Sequence, residues 1–155
     1  MKRLGLMMIL FTISAIGTMA QTATPPASTP GNVMRITYFD IKPGRGAEFM
    51  KFRREHVLPI AEEGKRQGLI IDYMWLTSPV GDGPTNWDLA FVLVHKNYAD
   101  ALENAEFGEK WNAIFLKHYG SQEAREKADA YQRELRDVMS SHLVRHQIVN
   151  PMPPK

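Results

Sequence analysis

Three side chains in this sequence have the chemistry and placing for proton transfer. His56 closes the run Arg53-Arg54-Glu55-His56, one helical turn before Pro59. An imidazole titrates near neutral pH, so a histidine beside a kinked helix turn can act as a general base. Asp72 and Tyr38 fall on two separate candidate strands. A carboxylate facing an apolar cavity has a raised pKa and can accept a proton. Two of them also have a plainer explanation. His56 can be a capping or surface residue in a charged stretch, and Asp72 can pair with Arg35 or Arg145 across a sheet.

A second group suits ligand binding. Tyr73, Trp75 and Trp111, with Trp87, supply aromatic area for a pocket, although aromatics at strand or helix period also serve as core. His142 and His146 invite a metal site. On a helix, that spacing aligns two imidazoles on one face. Their segment is rich in β-branched residues, and a strand sets residues four apart at about 13 Å, too far to share an ion. No metal site is expected. The chain has no cysteine, which removes thiol catalysis, thiolate metal sites and covalent haem attachment. Gly81-Asp82-Gly83-Pro84 precedes a strand rather than a helix, so it is a turn and not a phosphate loop. No cofactor is expected.

The elements that must hold these residues start after a leader. Lys2 and Arg3 precede an apolar run from Leu4 to Ile16, and Thr18-Met19-Ala20 places small residues where a signal peptidase reads them. Residues 1–20 thus form a signal peptide, and the protein is expected to be exported, to a periplasm or the medium. The apolar run is too short to span the roughly 30 Å hydrocarbon core, so no membrane attachment is expected after cleavage. The whole chain has 155 residues and a formal net charge of +2. Lys2 and Arg3 belong to the leader, which leaves the bases and acids of the remainder equal. With no basic patch interleaved with aromatics, nucleic acid is not an expected partner. Gln21 to Asn32 is Pro, Thr, Ser and Ala and reads as a flexible tether.

Val33 to Ile41 alternates as a strand with two apolar faces, and Lys42-Pro43-Gly44 is a turn. Gly46 to Gly68 reads as a helix that Pro59 should kink, leaving the Glu55 carbonyl without its usual donor. Leu69 to Ser78 is a second strand, Pro79 to Asp88 a loop, and Leu89 to His95 a third, central strand. Asn97 caps helical pieces at Tyr98 to Ala105 and Phe107 to His118, with the break near Gly108. Ser121 caps an amphipathic helix carrying Ala124, Ala128, Tyr131, Leu135 and Val138, and helical structure is expected to about Met139. Ser141 to Val149 is the last strand, and Asn150 to Lys155 is a disordered, proline-rich tail.

Strand, helix, strand, strand, helices, strand is an α+β order. It predicts a ferredoxin-like, four-stranded antiparallel sheet with helices on one face, spanning residues 33–149. Strands apolar on both sides leave a second face to cover, with Tyr73, Trp75 and Phe91 among its candidates. A second copy of the chain, packed sheet to sheet as a homodimer, is the expected cover. The run Lys42-Pro43-Gly44 with Glu48-Phe49, then His56-Val57 with Pro59-Ile60, and Gly68 before an aromatic-rich strand resembles the dimeric α/β-barrel superfamily. Within it the likeness is to NIPSNAP-type domains, with stress-responsive and antibiotic-biosynthesis-monooxygenase-like domains as neighbours. The resemblance covers about Val33 to Val149. It implies a dimeric barrel and allows several roles, cofactor-free oxygenases and isomerases among them. The stretch from Asn97 to Met139 departs from the pattern, with two helical stretches in place of one.

Three functions follow as expectations. The first is a binder of a small apolar or aromatic molecule in a cavity between sheet and helices, with Tyr73, Trp75 and Trp111 in contact. The second is a cofactor-independent monooxygenase or isomerase using His56, Asp72 and Tyr38. The third is a protein–protein adaptor working through the added helices. A binder needs a cavity, an enzyme needs polar groups converging in it, and an adaptor needs neither.

Overall fold

The computed structural model describes residues 26–78, 87–102 and 105–151. The expected signal peptide, the start of the tether, most of the loop before the third strand and the last four residues of the tail lie outside these. Strand β1 runs from Ser28 to Ile41 and is followed by helix α1, Gly46–Phe52. A π-helical segment, Arg53–Val57, joins α1 to α2, Leu58–Arg66. Then come β2 (Asp72–Thr77), β3 (Leu89–His95), α3 (Tyr98–Ala101), α4 (Ala105–Tyr119), α5 (Gln122–Leu135) and β4 (Arg136–Val149). The sheet order is β2-β3-β1-β4, and every neighbouring pair is antiparallel. This is the ferredoxin-like arrangement, an α+β fold.

Local chemistry accounts for most of the boundaries. Gly44 has φ 77° in the turn after β1, and Gly68 has φ 73° where α2 stops, a region closed to most side chains. Asn97 accepts a bond from the Asp100 N–H, and Ser121 accepts one from the Ala124 N–H, so both are N-caps. Pro59 acts as expected on its helix, but the response is a π turn. The Leu58 N–H reaches back five residues to the Arg53 carbonyl. Widening the helix here absorbs the donor that Pro59 lacks.

Four expectations are corrected. The tether is shorter than residues 21–32, because Ser28 to Pro30 pair with Gln147 to Val149 and belong to β1. Asn150 is part of the same lock, its side chain donating to the Pro26 carbonyl at 2.7 Å and its N–H to the Ala27 carbonyl, so the tail is ordered there. The break in the helical region falls between Ala101 and Ala105, and Gly108 lies inside α4. Finally, α5 ends at Leu135. Arg136 is already extended, and Val138 lies on β4 opposite Phe39. β1 pairs with β4 as far as its last residue, Ile41, opposite Arg136, and this pairing outweighs the local helical pattern of residues 136–139.

The register sorts the sheet into two faces. Phe39 pairs with Leu89, Thr37 with Phe91, and Phe91 with Trp75, so these share one face. The helices lie on it: Phe39 and Leu89 form a core with Phe49, Phe52 and Leu135. A second cluster joins Ile60 of α2 to Phe107 and Ile114 of α4. Tyr73, Trp75 and Phe91 therefore face the helices, not the second side. That side carries Met34, Ile36, Tyr38, Val92, Val94, Met74 and Leu76. Met74 and Leu76 are each 41% exposed. Both faces being apolar, alternation groups the residues correctly but cannot say which group meets the helices.

Candidate functional site, a cavity between sheet and helices

Burial at the two ends of the helix-covered face leaves a space in the middle. It has a volume of about 540 Å³, within the range of small-molecule sites. The sheet provides its floor through Phe39, Trp75, Phe91, Leu93 and His95. The first helical run contributes Phe49, Phe52, Val57 and Ile60. The α4 wall presents Phe107, Gly108, Trp111, Phe115 and Tyr119. At the α5 end the lining changes character, to Arg125, Asp129, Gln132 and Arg136.

The aromatic walls are mutually fixed. Trp75 stacks on Phe91 with centroids 4.2 Å apart, and the Arg53 guanidinium covers Trp75 at 3.6 Å. Burial lowers the Arg53 pKa from its usual value. Trp111 lies between Phe107 and Phe115 in centroid distance, 6.1 Å from each. Its position depends on Gly64, because a β-carbon there would stand 2.3 Å from the Trp111 ring. The absent side chain lets α4 approach α2 and brings the indole to the cavity wall.

At the polar end, Arg125 is fully engaged. It lies 3.8 Å from Asp129 one turn along α5, donates to the Asn112 side chain at 2.5 Å, and stacks on Phe115. The Tyr119 phenol is pushed up to about 12, first by burial and then by the charge of Asp129, so it stays protonated. Arg136 stacks on Phe39 at 3.9 Å and its pKa is lowered to about 10, chiefly by burial. It remains a cation at neutral pH.

The residues expected from the sequence divide clearly. Trp75 and Trp111 line the cavity. Tyr73 is beside it but not in its lining, with its phenol donating to Glu62 at 2.5 Å. Trp87 packs on Tyr38 at 5.1 Å, on the other face. The proposed proton-transfer trio does not assemble. Tyr38 belongs to the face away from the helices and touches Trp87 and His142. Asp72 is exposed and accepts from Lys65 Nζ at 2.8 Å; that bond, with the Tyr73 N–H, holds its pKa below the usual carboxylate value. Its partner is neither Arg35 nor Arg145, and no apolar cavity raises it.

His56 sits on the π turn, behind the cavity wall. Its Nδ1 lies 3.0 Å from His118 Nε2, and its ring stacks on Tyr119 at 5.3 Å. One imidazole donates and the other accepts. Burial first, and the charge of His56 second, lower the His118 pKa from 6.5. The unfolded chain therefore binds a proton near pH 6.5 that the folded chain refuses. The stability linked to His118 is present above that pH and is lost as pH falls through the lower folded value. We expect stability to urea to decline from pH 7 to pH 5, and His118→Gln to flatten that decline. Glu63, lowered to about 2 by Arg66 and Gln67, adds its own loss only below pH 4.5. A slope between pH 7 and 5 unchanged by His118→Gln would contradict the assignment.

The polar end of the cavity was not visible in the sequence. Arg136 reads there as the outer face of a helix, and no Gly or Pro marks the switch to strand after Leu135.

Fold and site together define a ferredoxin-like α+β domain with an aromatic-lined cavity between its sheet and its helices. No protein-family model matches the chain, and no curated protein matches it. Among solved structures, a dimeric protein of unknown function and ferredoxin-like fold from Bacteroides fragilis NCTC 9343 aligns at 16% identity with a TM-score of 0.41, over 76% of this chain and 97% of that one. A dimeric ferredoxin-like protein from an uncultured marine organism aligns at 13% identity with a TM-score of 0.44, over 81% of this chain and 94% of that one.

Proposed function

We propose that this protein binds a small apolar or aromatic molecule in the cavity between its sheet and its helices. The observation that carries this is the cavity itself: about 540 Å³ of space walled by Phe39, Phe52, Trp75, Phe91 and Trp111, with polar side chains gathered at one end. The space is partly open to solvent, and its volume lies in the range of small-molecule sites. The enzyme alternative finds less support, because His56, Asp72 and Tyr38 occupy three separate places. Protein adaptation through the added helices finds less support too, since Phe107, Trp111 and Phe115 of α4 line the cavity.

The leader expected at residues 1–20 supports action after export. The apolar second face of the sheet, with Met74 and Leu76 exposed, supports a homodimer packed sheet to sheet. The Lys42-Pro43-Gly44 and His56-Val57 signatures support a NIPSNAP-type member of the dimeric α/β-barrel superfamily. Native mass spectrometry checks the dimer: a species of twice the chain mass is expected, and a clean monomer would contradict it.

The cavity is tested with Nile red and a plugged variant. Gly108 lines the space, and a β-carbon built on it meets nothing within 4 Å. Gly108→Leu should place apolar bulk against this space, with no clash at its β-carbon, and, by replacing glycine inside a helix, leave stability equal or higher by up to about 1 kcal/mol. We expect saturable Nile red emission with one site per chain, and at least a tenfold weaker signal in Gly108→Leu. Equal binding by the two proteins would show that the dye sits elsewhere and would overturn the cavity as the site.

A further inference from the structure

We propose that the molecule the cavity selects is a monocarboxylic acid, its apolar or aromatic body among the aromatic side chains and its carboxylate on Arg136. This deepens the cavity's role as a ligand site and rests on it.

The charges at the polar end give the class. Three charged side chains line the cavity: Arg125, Asp129 and Arg136. Arg125 and Asp129 already serve each other, and Asn112 takes a further Arg125 donor. Arg136 is the second cation of the lining, and it shares the charge of Asp129 with Arg125. Its guanidinium lies on the Phe39 ring, and its Nε is buried with no hydrogen-bond partner among the described residues. Asp137 follows it in sequence but points to the other side of β4, where it is held by Lys42 at 3.8 Å.

A buried donor left unmade carries a desolvation penalty. A carboxylate removes it, because guanidinium and carboxylate match as a two-point fork. The count of charge limits the ligand as well. The lining holds two cations and one anion, so a single negative charge neutralises it and a dianion would exceed it. The remaining wall is aromatic and suits a flat apolar body next to Trp75 and Phe91.

The test compares naphthoate with naphthylmethanol, the same ring carrying an acid or a neutral alcohol at the same position. Calorimetric titrations of the full protein from an exporting host supply the two affinities. We expect naphthoate to bind at least tenfold more tightly than the alcohol. In Arg136→Met the preference should vanish, while the alcohol stays within about threefold of its wild-type affinity. Thermal melts establish that the variant is folded; if it is not, Arg136→Lys serves, with a preference reduced but not abolished. Equal binding of acid and alcohol by the wild type, or a preference that survives Arg136→Met, would overturn the assignment and leave the cavity as a neutral apolar site. Failure of both compounds and of Nile red to bind would overturn the cavity site itself, and the proposal with it.

Discussion

Phe49→Ala should lower the unfolding free energy by about 3–5 kcal/mol, the usual cost of emptying a fully buried aromatic position. Phe49 is 1% exposed and faces Phe39 at 6.3 Å, in the cluster that also holds Phe52, Leu89 and Leu135. It is the point at which the first helix seats on the sheet. Against a domain stability of about 5–15 kcal/mol, the loss is a large fraction but leaves a folded population. Urea unfolding gives the value directly: the midpoint should drop with little change in slope. Phe49→Leu, which keeps most of the volume, should cost about 1–2 kcal/mol. A loss below 1 kcal/mol for Phe49→Ala would mean that the helix is held by other contacts.

Gly64→Val should destabilise by about 3 kcal/mol and also disturb the cavity. The β-carbon alone would meet three Trp111 ring atoms at 2.3, 2.8 and 3.0 Å. Overpacking of this kind costs about 1–3 kcal/mol, and valine recovers little helix propensity over glycine, so the upper end applies. The indole lines the cavity, so a shift away from α2 changes the shape of the site. Nile red binding should therefore weaken in parallel with stability. A double-mutant cycle isolates the contact: with Trp111→Leu in place, Gly64→Val should cost less than it does alone. Strict additivity would show that the close approach of α2 and α4 does not run through this pair.

Much of the fold was legible because its signals are local. The Lys42-Pro43-Gly44 turn, the stop at Gly68 and the caps at Asn97 and Ser121 each depend on one or two side chains and their own backbone. The strand–helix order followed from periodicity. What was not legible depends on partners far away in the chain. Ser28 to Pro30 have no strand character by composition, yet they pair with Gln147 to Val149. Residues 136–139 continue a helical pattern, yet β1 draws them into the sheet. Trp75 was legible as a pocket residue but not as facing the helices, since period two leaves the choice of side to the packing. The polar end of the cavity needed both the α5–β4 boundary and the sheet side to be known, and so Arg136 emerged only from the fold.

The central claim is that a ligand occupies the space between the sheet and the helices. A crystal structure of the protein soaked with naphthylmethanol, the neutral compound, measures this without reliance on Arg136. The account predicts ring density between Trp75, Phe91 and Trp111, with the helices in place around it. Density on the opposite sheet face near Met74 and Leu76, or a native cavity filled by its own side chains, would contradict it.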